Sequence, residues 1–124
     1  LDPLAHLQLG KALASLDQED LLILGSGFSF HNMKDFFRRG AGIPDGKNKA
    51  FETWLKETLS NSDLSEAERW ERLLNWERAP NARYCHPREE HLLPLLVCYG
   101  VAQRPCARIE SVTVLGKQAS SFIW

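Results

Sequence analysis

Apolar residues recur at helical spacing near the start of the chain, at Leu4, Leu7, Leu9, Ala12, Leu13 and Leu16. Asp2 and Pro3 precede them as N-cap and first helical residue, so a helix is expected from Pro3 to about Ser15. The short apolar run Asp20-Leu21-Leu22-Ile23-Leu24-Gly25 ends on glycine and is flanked by helical patterns, which reads as a buried strand of a parallel sheet. Gly25-Ser26-Gly27-Phe28-Ser29 reads as a turn. A second helix is expected to open near Ser29 with Met33, Phe36 and Phe37 on its apolar face.

Gly40, Gly42, Pro44, Asp45 and Gly46 mark a loop from Arg39 to Lys49. Ala50, Phe51, Trp54, Leu55 and Leu59 then give an amphipathic helix, broken at Asn61-Ser62-Asp63. A further helix is expected from Ser65 to about Arg78, with Ser65 and Glu68 as a capping box and Ala67, Trp70, Leu73 and Leu74 inside. Ala79-Pro80-Asn81 ends it. The segment Cys85 to His91 is expected to open the next helix, with Pro87 in its first turn and Pro94 bending it. Two strands, Ile109 to Leu115 and Ser120 to Trp124, close the chain around Gly116-Lys117-Gln118. The four tryptophans, Trp54, Trp70, Trp76 and Trp124, fall at core spacing. This order of elements predicts an α/β fold, with a central mixed or largely parallel sheet and helices on both faces.

The chain has 124 residues, enough for one domain or one half of a larger one, and its 44% hydrophobic content supports a core. Fifteen Lys and Arg balance sixteen Asp and Glu. Arg38 and Arg39 are the nearest thing to a basic cluster, so no nucleic-acid partner is expected. No apolar run reaches the roughly 20 residues that span a bilayer, and no membrane association is expected. Cys85, Cys98 and Cys106 are odd in number and lack a C-x-x-C pair. They read as reduced thiols of an intracellular, cytoplasmic protein. The opening Leu1-Asp2-Pro3 is compatible with a fragment or a processed chain.

His31 is the first candidate for chemistry. It is expected just past the end of the buried strand, in the first turn of the next helix, at the edge where open α/β sheets place ligands. A helix N-terminus disfavours imidazolium, and a neutral imidazole can act as a general base. The alternative is a histidine that merely packs beside Phe28 and Phe30. Gly25-Ser26-Gly27 lacks the third glycine of a dinucleotide loop, and neither Ser26 nor Ser29 is framed as a nucleophile elbow. The glycines instead permit a sharp turn and a close backbone approach. His86 and His91 are five apart, so one metal could take both only if His86 lies outside a helix. His91, with Glu89 and Glu90 beside it, is expected to face an apolar helix interior. Imidazole with carboxylate suits non-haem iron, although a core histidine bonded to a carbonyl fits the spacing equally. His6 reads as a surface or packing histidine.

Two runs carry a family resemblance: Leu22 to Asn32, ending in His31-Asn32, and His86-Pro87-Arg88-Glu89-Glu90-His91-Leu92-Leu93-Pro94-Leu95. Together with Leu1-Asp2-Pro3, His6, Gly10 and Leu115-Gly116-Lys117, they resemble the class III extradiol ring-cleavage dioxygenases of the 4,5-DOPA dioxygenase type. The resemblance covers essentially the whole chain. It implies that residues 1–124 are the C-terminal half of a single catalytic domain. It implies a mononuclear site for Fe(2+), or alternatively Zn(2+), with O2 as co-substrate and a catechol such as DOPA as substrate. His91 would be one metal ligand and His31 the catalytic acid–base. Two further histidine ligands would come from an N-terminal half, without which the chain is expected to be inactive. His86 and Ser29 are substrate-side or supporting candidates. Glu90 is a lesser one, because other branches use glutamate as a ligand. Two alternatives remain: a non-catalytic binding module of the same fold, and a small zinc-binding structural domain using His86, His91 and Cys85 or Cys98.

Overall fold

Two glycines let the longest helical contact of the chain form. Helix α1 (Pro3–Ala14) packs along α6 (Leu93–Ala102), and the two cross at Gly10 and Gly100. A Cβ on Gly10 would collide with the Val97 carbonyl and the Gly100 backbone, and one on Gly100 with the Leu7 carbonyl. The helices therefore meet backbone to backbone, with Leu7 and Leu96 fully buried beside the crossing. The computed structural model describes residues 2–16, 21–38 and 43–124. Asp20, and residues 39–42 of the expected loop, lie outside these.

Helix α2 (Met33–Phe36) is a single turn capped by Asn32. Helix α3 (Gly46–Ser60) is capped by Asp45, whose carboxylate accepts from the Lys47 and Asn48 amides. That cap starts α3 four residues earlier than the apolar spacing predicts. Helix α4 (Glu66–Leu74) has the expected Ser65/Glu68 capping box and passes into a 3-10 turn at Trp76–Arg78. A short helix, α5 (Ala82–Cys85), ends at His86. Strands β1 (Arg108–Val114) and β2 (Lys117–Ile123) form an antiparallel hairpin in which Val114 pairs with Lys117. Its two turn residues, Leu115 and Gly116, both have positive φ, as a tight turn matching strand twist requires. β2 therefore starts three residues before its expected position.

The core gathers Phe30, Phe51, Leu55, Leu59, Leu73, Trp76, Leu92 and Tyr99 between the helices. Trp76 is in it, and Trp54, Trp70 and Trp124 pack against it, as expected. Leu73 is buried and Trp70 and Leu74 are half-buried, as expected, but Ala67 is exposed, and the second buried residue of α4 is Arg69. Its guanidinium donates to the carbonyls of Thr58, Asn61 and Leu64 and pairs with Glu66 at 3.2 Å. These acceptors lie at and beyond the C-terminal end of α3, so Arg69 satisfies carbonyls that a helix end leaves without partners.

The expected central sheet is not found. Among the described residues the hairpin is the one sheet, and it has two strands. Residues 21–28 carry no strand assignment, and Leu22 and Leu24 are 77% and 82% exposed rather than buried. A strand needs a hydrogen-bonding neighbour, and the nearest candidate edge is already closed. Asn48 exchanges two amide hydrogen bonds with Gln118 of β2, at 2.7 and 2.9 Å, and the Ser29 hydroxyl accepts from the Ser120 amide at 2.9 Å. Side chains take the place of a third strand. Met33 and Phe37 also depart from expectation: both are exposed, and only Phe36 of that set is buried.

Arg69→Met should lower the unfolding free energy by about 3 kcal/mol, because it leaves buried carbonyls without donors. Arg72→Met, one turn further on and half-exposed, should stay within about 0.5 kcal/mol. Urea denaturation of both variants checks the pair.

Candidate functional site

The segment 29–32 is fastened to residues 84–86 by three hydrogen bonds. The His86 Nε2 donates to the Ser29 carbonyl at 2.8 Å. The His31 amide donates to the Cys85 carbonyl at 2.8 Å, and the Asn32 side chain donates to the Tyr84 carbonyl at 2.8 Å. His31 thus precedes the Asn32 cap instead of lying in the first turn of a helix.

His91 sits in a turn before α6, not inside a helix. Pro94 occupies the first turn of α6, where its ring costs nothing, so the expected bend does not occur. The ring of His91 is exposed rather than facing an apolar interior. Gly27 lies against the backbone of His91 so closely that a Cβ there would strike the His91 carbonyl, and Gly25 is equally tight against Pro94 and the Cys98 sulfur. The close approach expected of these glycines is present, in a segment with no turn assigned at residues 25–28.

These contacts bring His31 and His91 together. Their rings stack with centroids 3.5 Å apart and planes 16° from parallel. Burial lowers the His31 pKa, the neighbouring His91 lowers it further, and Glu90 opposes both. The neutral form expected of His31 is favoured, but by these two causes and not by a helix terminus. Beyond its backbone bond to Cys85, His31 commits no ring nitrogen to a hydrogen bond among the described residues, and neither does His91.

His86 belongs to a different environment. It is fully buried between Phe51 and Trp76, with ring centroids 5.4 and 6.0 Å away. Because Nε2 donates to Ser29, Nδ1 carries the lone pair, and it has no hydrogen-bond partner among the described residues. Burial pushes its pKa down to about 4. Ser29 is also buried and joins His86 to β2, through its carbonyl and its hydroxyl. Glu90 pairs with Arg88 at 2.9 Å.

A cleft of about 690 Å³ opens beside His91, between the extended segment and β2, lined by Leu22, Ile23, Ser29, Ser120 and Phe122. Behind its serines lies Glu52, 1% exposed, accepting from the Ser120 hydroxyl at 2.8 Å. Burial raises its pKa. Glu52 was not singled out from sequence. Its signal was a carboxylate at the apolar spacing of Asn48, Phe51, Leu55 and Leu59.

Among the described residues no three His, Cys, Asp or Glu side chains gather as a metal site. A zinc domain built within this chain on His86, His91 and a cysteine therefore lacks its geometry. Cys85 is buried, with burial raising its pKa to about 12, and all three cysteines are free. His6 is half-buried and bonded to the Asp2 carbonyl at 2.7 Å, as a packing histidine would be. No helix among the described residues is long and apolar enough to cross a membrane.

No family model matches the chain. It is 32% identical over 130 residues to the dioxygenase tasH of Hapsidospora irregularis, a match covering 99% of this chain and 40% of that protein. It is 36% identical over 102 residues to the 4,5-DOPA dioxygenase extradiol of Beta vulgaris, covering 82% of this chain and 36% of that one. The chain thus spans two fifths or less of these relatives. The crystal structure of an uncharacterized protein from Escherichia coli K12 superposes with a TM-score of 0.78. The match covers all of this chain and 51% of that one at 23% identity, a likeness of fold.

His86 ties stability to pH. Its folded pKa lies below its unfolded value of 6.5, so the unfolded state binds more protons between the two. The contribution is complete above pH 6.5 and is lost as pH falls towards 4, amounting to about 3 kcal/mol. Glu52, shifted the opposite way, contributes with the opposite sign above its unfolded pKa. Denaturation from pH 7.5 to 4 should show the loss in the wild type, and His86→Phe should flatten it.

Proposed function

Since the chain is a partial-length relative of the 4,5-DOPA extradiol dioxygenases, we propose that it carries part of the active site of an enzyme that opens a catechol ring with O2. The observation that carries this reading is the stacking of His31 on His91, two imidazoles from distant parts of the sequence whose ring nitrogens have no hydrogen-bond partner among the described residues.

His91 is the metal ligand in this reading. It is exposed, set on a turn and held by its backbone against Gly27, so its imidazole is available as a donor. One histidine does not retain a divalent ion, and non-haem iron takes two histidines and a third donor. The remaining donors are proposed to come from polypeptide outside these 124 residues, which fits the greater length of the relatives. The exposed Leu21, Leu22 and Leu24 and the adjacent cleft are where that polypeptide would pack. The ion, Fe(2+) or alternatively Zn(2+), supplies Lewis acidity and, as iron, the redox capacity that oxygen chemistry requires.

His31 does the proton work. Held neutral by burial and by His91, it accepts a proton from a catechol hydroxyl and returns it later in the reaction. Its backbone bond to Cys85 fixes where the ring stands. Ser29 and Ser120 present polar groups to the cleft from a wall stiffened by His86 and Glu52.

In the complete protein loaded anaerobically with iron, His91→Ala should abolish both metal retention and oxygen uptake on catechols. His31→Ala should retain the metal and lose about 10²–10⁴-fold in kcat, the usual worth of a general acid–base. The 124-residue chain by itself should take up no oxygen. Normal turnover in both variants, or activity of the isolated chain, would overturn the proposal.

A further inference from the structure

Lys117 is nearly buried, yet it is charged and lies far in sequence from both histidines. Its ammonium pairs with the carboxylates of Asp35 and Asp45, whose side chains are 13% and 11% exposed. The Tyr84 hydroxyl lies 2.6 Å from each of the same two carboxylates. The Lys117 ammonium also stands 5.0 Å from the centre of the Phe30 ring. Four elements meet at this point: α2 through Asp35, the cap of α3 through Asp45, α5 through Tyr84, and β2 through Lys117.

The cluster brackets His31. Phe30 precedes it, and Asp35 begins three residues after Asn32, with its amide donating to the Asn32 side chain at 3.2 Å. Tyr84 and Cys85 supply the carbonyls that hold Asn32 and His31. Two carboxylates sharing one hydroxyl proton repel each other, and the Lys117 charge is what allows both to stay ionised in so little solvent. Both Asp pKa values are held low by their hydrogen bonds to Lys117 and Tyr84, against burial. Remove the ammonium, and Asp35 and Asp45 must separate or take up a proton. Separation moves α2, which is joined directly to the His31 segment, and a proton taken up by Asp35 replaces one of the acceptor sites that now hold Tyr84 and Lys117.

We propose that Lys117 is a positioning residue for His31, setting the stacking of its ring on His91 through Asp35, Tyr84 and Phe30. The catalytic consequence rests on the dioxygenase reading above; the positioning does not. Neither Lys117 nor its two aspartates touches either imidazole in a ring contact or hydrogen bond.

The test labels the histidines of the full chain and follows the ring protons of His31 and His91 by NMR, where stacking displaces them upfield. Lys117→Met should abolish that displacement. Arg69→Met, which destabilises a remote part of the fold, should leave it intact, so loss of stability alone does not mimic the effect. Asp35→Asn, a milder change, should reduce the displacement and serves if Lys117→Met does not fold. In the complete iron-loaded protein, Lys117→Met should lower kcat about 10–100-fold at unchanged metal content, the effect of a misplaced group. Unchanged ring shifts in Lys117→Met, or in Asp35→Asn should the first not fold, would overturn the positioning role. Absence of turnover in the wild type with the shift changes present would overturn only the dioxygenase reading.

Discussion

The hydrogen bonds between residues 29–32 and residues 84–86 hold the site together. They join two stretches that no regular ladder connects, and each uses a different kind of group: a buried imidazole, a backbone amide and a side-chain amide. In a wet setting each would contribute little, since water competes for the same donors and acceptors. Here the His86 bond is shielded by Phe51 and Trp76, so breaking it would strand a carbonyl and an imidazole in apolar surroundings. That asymmetry fixes the path of the chain through His31 and leaves its ring facing His91.

A second constraint is the treatment of edges. β2 has one partner strand, and its other edge is closed by Asn48 and Ser29, whose side chains reproduce the bonds of a neighbouring strand. Segment 21–28 pairs with no strand among the described residues, and Leu21, Leu22 and Leu24 face outward. The cleft lies between these two unlike edges. Leu22 and Leu24 of that segment leave an apolar surface exposed beside the cleft.

Buried ionisable side chains recur around this frame in three unlike roles. Arg69 closes the end of α3, Glu52 backs the serine wall of the cleft, and Lys117 neutralises two aspartates beside the His31 segment. Arg69 and Lys117 are met by partners from several elements, whereas Glu52 has the Ser120 hydroxyl on one oxygen and no partner on the other among the described residues, in keeping with its raised pKa.

The local elements could be read from the sequence because their causes are local. The α1 cap at Asp2-Pro3, the Ser65/Glu68 box and the tryptophan spacing need only neighbours a few residues away, and the two histidine motifs pointed to the family from identity alone. Boundaries failed where a local backbone demand outranked the apolar pattern, as the Asp45 cap did in starting α3 early and the positive-φ pair Leu115-Gly116 did in moving the hairpin turn. The burial of Arg69, Glu52 and Lys117 was not legible, since a charged residue is buried only when distant partners arrive, and nothing near it in the chain announces them. The strand at 21–25 failed for the related reason that strand pairing depends on a neighbour supplied from elsewhere. Sequence therefore determined which imidazoles were candidates. Tertiary structure decided that His31 and His91 stack while His86 turns inward, because the bonds that aim these rings run between segments more than fifty residues apart.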